Sequence, residues 1–391
     1  MLALKDATQA VLSSARQLGS ERIDLPIALD RILAEDVTSD IDMPPFDRSA
    51  MDGYACRRSD LANELSVIET IRAGYVPRKT VGTNQCAKIM TGGVVPQGVD
   101  CVIMVEQTSI QTANTIRFIG KETADNIRPK GQDLRAGELV LRRGSRIRPQ
   151  HIATLAAVGC IKPCVSQQSR VGVISTGDEL VMPSEKPLSS QIRESNGHQL
   201  SAQIKQMCGI ARNYGIVPDF KQDIDMMLRK AIVENDVVVL SGGVSAGDYD
   251  YVPEIMKKIG FDVIFHKIAI KPGKPTVFGV CNNVYCFGLP GNPVASFVVF
   301  ELLVKPFLYK IMGHVYKPAY SYLQLSESVR RKKTERQSWI PIYIDDIGEA
   351  RPIEYHGSAH ISALCRADGL IHLDTGVSEI EKGMIVEVRL I

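Results

Sequence analysis

The chain has 391 residues, of which 45% are hydrophobic and 23% charged, and its formal net charge is +2. This composition is typical of a folded globular protein and argues against a disordered chain and against a protein that coats nucleic acid. The length is sufficient for two to three domains of ordinary size, which excludes a single small module.

The apolar stretches are short or interrupted, so the sequence predicts no membrane span. The longest, 294–304, contains Ser296 and Glu301, whereas a spanning helix needs about 20 predominantly apolar residues. Lys5 and Asp6 stand where a secretion signal would have its apolar core. The nine cysteines include no CxxC pair, which favours reduced thiols and a cytoplasmic location over a disulfide framework or a zinc ribbon.

The N-terminal part of the chain predicts a helical domain with β structure inserted in it. Apolar residues at helical spacing predict an opening helix over 2–17, and a second helical pattern follows Pro149 and stops at Gly159. Between them, short β-rich runs alternate with Gly, Pro, Asn and Asp. We therefore expect a discontinuous helical domain over 1–43 and 136–168 and an inserted β domain over 44–135.

The segment 169–315 alternates β-branched runs with amphipathic helical patterns. Apolar runs stand at 171–174, 237–240 and 284–287. Continuous apolar strands separated by helices are typical of a parallel sheet that is covered on both faces. From Tyr320 onward short strands return, which predicts a terminal β-barrel-like domain over 316–391. The expected fold class is thus multidomain α/β and β, with a parallel-sheet α/β domain.

Three glycine-rich loops follow predicted strands of that sheet. They are STGDEL (175–180), SGGVSAGDYDY (241–251) and GLPGNPV (288–294). In a parallel α/β sheet, ligands bind beyond the carboxyl ends of the strands, and glycines let backbone N–H groups approach a phosphate closely. Three such loops in one sheet predict a phosphate-binding site rather than three unrelated turns.

The segment KIAIKPGKPT (267–276) adds cations beside the same sheet. Lys267, Lys271 and Lys274 surround a rigid Pro-Gly-Lys-Pro turn, which favours an oxyanion or phosphate site over a solvated basic turn. The segment is not a Walker A loop, because Ile268 and Pro275 occupy the positions where that motif needs Gly and Ser or Thr.

The inserted β region supplies acidic and hydroxyl residues next to turns. The segments 43–55, 89–108 and 126–138 contain Asp47, Asp52, Thr91, Asp100, Glu106, Arg128 and Asp133. Carboxylates near a phosphate site imply a hard divalent cation such as Mg²⁺ between them. His356 and His360 have the i,i+4 spacing of a metal pair, but Gly357 and Ser358 between them predict a loop instead.

Seven of these segments together resemble the molybdopterin molybdenumtransferases, the MoeA and gephyrin E-domain family. They are, in order, MPPFDRSAMDGYA, IMTGGVVPQGVD, NIRPKGQD, STGDEL, SGGVSAGDYDY, KIAIKPGKP and GLPGNPV. The resemblance implies that adenylylated molybdopterin and molybdate react to give the molybdenum cofactor and AMP, with Mg²⁺ assisting. It also implies an elongated homodimer of four-domain subunits, whose active site is shared between the α/β domain of one subunit and the inserted β domain of the other. The implied protein partners are the molybdopterin adenylyltransferase and the apoproteins of molybdoenzymes; nucleic acid and membrane are not among the expected partners.

The same resemblance implies a role for individual residues. Its catalytic set is Asp52, Thr91, Glu179, Asp219, Asp250, Lys267 and Lys271. Its substrate-binding set is Arg128, Asp133, Ser175, Thr176, Gly177, Ser241, Gly242, Gly243, Ser245, Pro290, Gly291 and Asn292. Its molybdate set is Lys271, Lys274, Arg336 and Ser358, and Glu179 and Asp250 would hold the metal.

Two other interpretations stay open at this point. A molybdopterin adenylyltransferase has a similar SGGxS loop on the same kind of sheet, but it is a single domain, and the inserted region and the terminal region argue against it. A scaffold that clusters other proteins, as animal members of the family do in addition to catalysis, is usually fused to further domains through long linkers, which are not found here.

Overall fold

The computed structural model describes residues 1–244, 251–353, 357 and 360–391. These residues form two compact units. The first consists of Met1–Glu35, Arg143–Arg148 and Pro163–Ile391, and the second of Asp36–Arg142 and Pro149–Lys162. In the part of the chain that the structure describes, no helix has both the length and the apolar character needed to cross a membrane.

The α-helices of the described residues are α1 (Leu4–Ser13), α2 (Pro149–Ala157), α3 (Asn196–Gln206), α4 (Lys221–Glu234), α5 (Val252–Ile259), α6 (Pro293–Val299) and α7 (Lys305–Ile311). A π-helical segment, Phe300–Val304, joins α6 to α7. Short 3₁₀ turns lie at Leu25–Ile27, Arg58–Asp60, Val105–Gln107 and Ile361–Arg366. The helices predicted at the start of the chain and after Pro149 are α1 and α2, and α2 belongs to the second unit.

The strands, in chain order, are β1 (Ser20–Arg22), β2 (Val37–Thr38), β3 (Arg48–Ser49), β4 (Gly53–Cys56), β5 (Glu64–Ile71), β6 (Gln85–Ile89), β7 (Cys101–Met104), β8 (Thr108–Thr112), β9 (Thr115–Phe118), β10 (Ile127–Arg128), β11 (Leu139–Leu141), β12 (Cys164–Ser166), β13 (Arg170–Thr176), β14 (Leu180–Val181), β15 (Ile192–Arg193), β16 (Ile210–Val217), β17 (Val237–Ser241), β18 (Asp262–Phe265), β19 (Ile270–Lys271), β20 (Val277–Cys281), β21 (Val284–Leu289), β22 (Tyr320–Gln324), β23 (Val329–Arg330), β24 (Gln337–Ile344), β25 (Ala350–Pro352), β26 (Gly369–Leu373), β27 (Glu379–Ile380) and β28 (Ile385–Leu390). Strands β2 to β11 belong to the second unit.

The first unit contains the predicted α/β sheet, with strand order β16-β13-β17-β21-β20-β18. Its first four strands are parallel, whereas β20 is antiparallel to both of its neighbours, β21 and β18, so that β18 again has the direction of the first four. Val237 and Val239 of β17 pack in one core with α3 and α6, and Val238 and Leu240 pack in another with α4 and α5. Every residue of β17 is buried, because helices cover both faces of the sheet, as the continuous apolar run predicts.

A second sheet of the first unit has the strand order β19-β24-β26-β28-β22. It contains the β structure predicted after Tyr320, together with β19 from the lysine-rich segment. Strand β19 runs parallel to β24, with Ile270 opposite Gln337 and Lys271 opposite Ser338. The lysine-rich segment therefore joins the terminal β structure to the α/β part of the chain.

The second unit is built on a six-stranded sheet with the order β7-β4-β6-β5-β9-β8. Its two faces carry separate apolar clusters, one around Tyr54, Leu65 and Ile103 and the other around Ile71 and Val102. Two small ladders, β3 with β10 and β2 with β11, accompany this sheet. The β-rich character predicted for this region is confirmed, and the exact domain boundaries stay a prediction.

Candidate functional site

A cavity of about 590 Å³ lies at the carboxyl ends of the parallel strands in the first unit. Its wall includes residues from all three glycine-rich loops, namely Ser175, Thr176, Glu179, Ser241, Gly242, Gly243, Pro290, Gly291 and Asn292. Gly177 lies in the first of these loops, between two of the lining residues. The structure thus brings the three predicted loops to one cavity, and their role in binding substrate stays a prediction.

The second loop can approach the first this closely only because it contains glycine. Gly242 has a φ of +100°, and a Cβ atom there would lie 2.5 Å from the backbone oxygen of Thr176. The neighbouring Gly243 has a φ of +63°. Since residues with a side chain rarely adopt such angles, the Gly-Gly pair fixes the shape of this wall.

The chain between β15 and α3 also lines the cavity, and sequence reasoning missed it. This wall consists of Ile192, Arg193, Glu194, Ser195 and Asn196. The Glu-Ser-Asn run before a helical pattern could have indicated a polar wall of the site, but such residues ordinarily indicate only the start of a helix. Ser195 makes no side-chain capping bond.

Both buried polar residues of this segment bind neighbouring loops. The Oε1 atom of Glu194 accepts hydrogen bonds from Ser175 Oγ at 2.9 Å and from the backbone N–H of Gly197 at 2.5 Å. The Nδ2 atom of Asn196 donates to Ser241 Oγ at 2.7 Å and to the backbone oxygen of Gly291 at 2.6 Å. The ends of β13, β17 and β21 are therefore connected through the start of α3.

Asp219 brings a half-buried carboxylate to the same cavity. Burial raises the pKa of Asp219, and the nearby charges of Asp178 and Glu179 raise it further. The Thr176 side chain lies close enough to oppose this rise, but its Oγ1 forms no hydrogen bond of acceptable geometry. Asp219 Oδ1 is likewise buried without a partner among the described residues. A bound cation would offset the cost of leaving Thr176 Oγ1 and Asp219 Oδ1 without a hydrogen-bond partner.

The donor set of this wall suits Mg²⁺. Within the described ranges, no three His, Cys, Asp or Glu side chains gather closely enough to hold a metal by themselves. Mg²⁺, however, commonly binds through one or two carboxylates, several waters and the phosphates of a substrate. Glu179 and Asp219 can supply such carboxylates, whereas the predicted ligand Asp250 lies outside the described residues.

The lysine-rich segment forms a fixed turn beside the cavity. The backbone N–H of Ile268 donates to the backbone oxygen of Lys274 at 3.0 Å. A Cβ atom at Gly273 would lie 2.5 Å from Val299 Cγ2, so the turn packs tightly against its surroundings. Lys271 and Lys274 are exposed, Lys267 is half-buried, and Pro275 lines the cavity.

Arg336 lies next to this turn, as its predicted role requires. Its Nη1 atom donates to the backbone oxygen of Ile270 at 3.2 Å. Pairing of β19 with β24 puts Lys271 opposite Ser338, two residues after Arg336. Ser245 and Ser358, together with His356 of the possible histidine pair, lie outside the described residues.

In the second unit, the predicted residues surround the segment 43–55. Asp52 Oδ1 accepts hydrogen bonds from the N–H of Thr91 at 2.6 Å and from its Oγ1 at 2.8 Å, and these bonds lower the pKa of Asp52. Arg128 of β10 pairs with Arg48 of β3, whose Nη2 lies 3.9 Å from Asp133 Oδ2. The four predicted residues, Asp52, Thr91, Arg128 and Asp133, are exposed, so this surface can take part in a site.

The other acidic residues singled out in this region have local roles or none that bears on the site. Asp47 Oδ1 accepts the N–H of Lys130 at 2.7 Å, and Asp100 Oδ1 accepts the N–H of Arg58 at 2.7 Å. Glu106 lies in the 3₁₀ turn Val105–Gln107. Asp47 and Asp100 therefore hold backbone from distant parts of the sequence in place.

Comparison with known families places the chain among proteins of molybdopterin biosynthesis. Residues 172–310, which contain the cavity loops, match the model of a probable molybdopterin binding domain. Residues 2–159 match the MoeA N-terminal region, domains I and II, and residues 323–391 match the MoeA C-terminal region, domain IV.

Individual relatives agree over the full length. The chain is 34% identical over 410 residues to a molybdopterin molybdenumtransferase of Staphylococcus epidermidis, covering 100% of this chain and 95% of that protein. It is 35% identical over 381 residues to the enzyme of that name from Haemophilus influenzae, covering 95% and 93%. A molybdopterin biosynthesis MoeA protein from Pyrococcus horikoshii superimposes with a TM-score of 0.87 at 31% identity over all of both chains. The chain belongs to the molybdopterin molybdenumtransferase (MoeA) family, a family of transferases in molybdenum cofactor biosynthesis. The predicted family and fold class are thereby confirmed.

Proposed function

We propose that this chain inserts molybdenum from molybdate into adenylylated molybdopterin and releases AMP. The observation that carries the proposal is the cavity in which three glycine-rich loops meet beside a lysine-rich turn, with Pro275, the residue after Lys274, in its wall. Such a site offers backbone N–H groups to phosphates and cations to an oxyanion. Both are needed when molybdate must meet an adenylylated substrate.

The cavity loops and the lysine-rich turn would bind different parts of the substrates. The backbone N–H group of Gly243, together with Ser245, would bind the phosphates of the adenylate, whereas the N–H of Gly242 donates to the backbone oxygen of Leu289 at 3.1 Å and holds the loop against β21. Lys271, Lys274 and Arg336 would balance the two charges of molybdate, with Ser358 donating a hydrogen bond. Cleavage of one phosphoanhydride bond needs little covalent help from a protein, so the main catalytic contribution is correct positioning of charge.

The carboxylates Glu179, Asp219 and Asp250 would orient Mg²⁺ and its water shell. Mg²⁺, when bound, would neutralise phosphate charge as the anhydride breaks. The raised pKa of Asp219 supports this assignment, because carboxylates crowded in a partly buried wall are stabilised by a cation. Lys267 would add positive charge at the base of the same turn.

The exposed surface around Asp52 and Thr91 would complete the site from a second subunit. We propose a homodimer in which this surface, with Arg128 and Asp133, faces the cavity of the partner. The nine free cysteines support a reducing, cytoplasmic setting. Molybdopterin adenylyltransferase would supply the substrate, and apoproteins of molybdoenzymes would take the product.

The test is whether AMP release depends on molybdate. The purified protein should release AMP from adenylylated molybdopterin when molybdate and Mg²⁺ are present and should release little without molybdate. Molybdate-independent release would indicate a simple hydrolase, and no release under either condition would point to the scaffold interpretation.

A further inference from the structure

Two buried side chains in the wall of the cavity connect strand ends but have no part in the proposed reaction. We infer that Glu194 and Asn196, here called the loop brace, are positioning residues that hold the three loops in the arrangement that binds the adenylylated substrate. This inference rests on the proposed function and concerns the same cavity. It assigns to the start of α3 a task that its sequence does not reveal.

The orientation of the Asn196 amide is fixed by its partners. A backbone carbonyl can only accept a hydrogen bond, so the group that lies 2.6 Å from the oxygen of Gly291 must be the Nδ2 donor. The same Nδ2 atom donates to Ser241 Oγ at 2.7 Å. One amide group therefore joins the last residue of β17 to the loop that follows β21.

Water competes little for these bonds, because only 9% of Asn196 is exposed. Its Oδ1 atom is buried and has no partner among the described residues. An unpaired buried acceptor is costly and uncommon in a folded protein. The unpaired acceptor belongs to a residue whose Nδ2 bonds fix two loops. This combination indicates that Asn196 serves the geometry of the loops and not the stability of the fold.

Glu194 performs the matching task for the first loop. Its Oε1 accepts from Ser175 Oγ, at the end of β13, and from the N–H of Gly197 in α3. Gly197 leaves little free space, since a Cβ atom there would lie 3.0 Å from Ser175 Oγ. The loop brace thus connects all three loops to one rigid helix.

The loop brace connects Ser175, Ser241 and Gly291 to the start of α3 through the hydrogen bonds of Glu194 Oε1 and Asn196 Nδ2. Its residues are therefore expected to act on substrate through the loops and to change binding of the adenylate. Molybdate, which we assign to Lys271, Lys274 and Arg336, should bind as before when the loop brace is altered.

The first test replaces Asn196 by Asp, which puts a carboxylate oxygen where Gly291 needs a donor. The Kd of adenylylated molybdopterin, measured by calorimetry, should rise about tenfold, the factor that corresponds to loss of one net hydrogen bond. The KM for molybdate should change little. The matched control is Gln199→Ala, because Gln199 is an amide of the same helix that donates to the oxygen of Pro293 at 3.4 Å without lining the cavity.

A second pair of variants separates geometry from charge. Glu194→Ala removes the acceptor of Ser175 and should also raise the Kd of the adenylate, whereas Glu194→Gln retains an oxygen acceptor and should restore it. Unchanged Kd in Asn196→Asp, or an equal rise in the Gln199 control, would overturn the inference. If Asn196→Asp does not fold, failure of Glu194→Gln to restore the affinity lost in Glu194→Ala would overturn it equally. Because this readout is binding, it is independent of AMP release by the unaltered protein, whose absence would instead refute the proposed function.

Discussion

Replacement of Gly242 by alanine tests the close approach of two cavity loops most sharply. The new Cβ would lie 2.5 Å from the backbone oxygen of Thr176 and 2.8 Å from its Oγ1. The first of these contacts is with backbone and cannot be relieved by rotation of a side chain. The matched control is Gly291→Ala in the same wall, where the nearest atom would be Gly242 Cα at 3.6 Å, an ordinary contact.

The expected loss of stability follows from two contributions. A left-handed backbone conformation costs roughly 1–2 kcal/mol for a residue with a side chain, and overpacking costs typically about 1–3 kcal/mol more. Reduced entropy of the unfolded chain returns about 0.4–1 kcal/mol. Gly242→Ala should therefore lower the free energy of unfolding by roughly 1–4.5 kcal/mol. Gly291→Ala has no such strain and should be neutral or slightly stabilising.

Urea unfolding followed by circular dichroism at helical wavelengths measures this difference, because α1 and α3 to α7 belong to the unit that contains the cavity. The midpoint should fall for Gly242→Ala and not for Gly291→Ala. Equal midpoints for the two variants would refute the close packing of the second loop against Thr176.

Three other predictions concern the charges of the site. Lys271→Ala should raise the KM for molybdate about tenfold or more and leave the Kd of the adenylate unchanged, with exposed Lys310→Ala as control; equal losses would assign Lys271 to the phosphates. The pKa of Asp219 is raised from 3.8, so the folded chain loses stability as pH rises from 3.8 through the raised value. Asp219→Asn should therefore melt higher than the unaltered protein at pH 7 and lose this advantage towards pH 3.8, while its activity falls; an advantage that grows on acidification would contradict the sign. Mixed dimers of inactive Asp52→Ala and inactive Asp250→Ala subunits should regain activity if the site is shared, and no recovery after confirmed subunit exchange would contradict the proposed dimer.

The periodic parts of the fold could be predicted from the sequence. A run such as 237–240 is apolar at every position because both faces of β17 are covered, and this is visible without a structure. Strand β20 was missed because it is paired antiparallel through a short turn at Asn282 and Asn283, within a region that reads as a parallel sheet. Strand β19 was also missed, because its partner β24 is more than 60 residues away in the chain.

The site could be predicted where its chemistry is carried by short motifs. The three glycine-rich loops can be recognised from their residue types alone, and the sheet brings their residues to one cavity. Glu194 and Asn196 were missed because their function depends on contacts with Ser175, Ser241 and Gly291, which lie 19, 45 and 95 residues away. No local pattern encodes such contacts.

Coupling of molybdenum insertion to AMP release is measured by the ratio of metal incorporated to AMP released. The protein is incubated with adenylylated molybdopterin, Mg²⁺ and molybdate, and both the molybdenum bound to molybdopterin and the AMP are quantified in the same sample. One molybdenum should be incorporated for each AMP released, and both should be lost in Lys271→Ala at low molybdate. Release of AMP without incorporation of molybdenum would contradict this coupling.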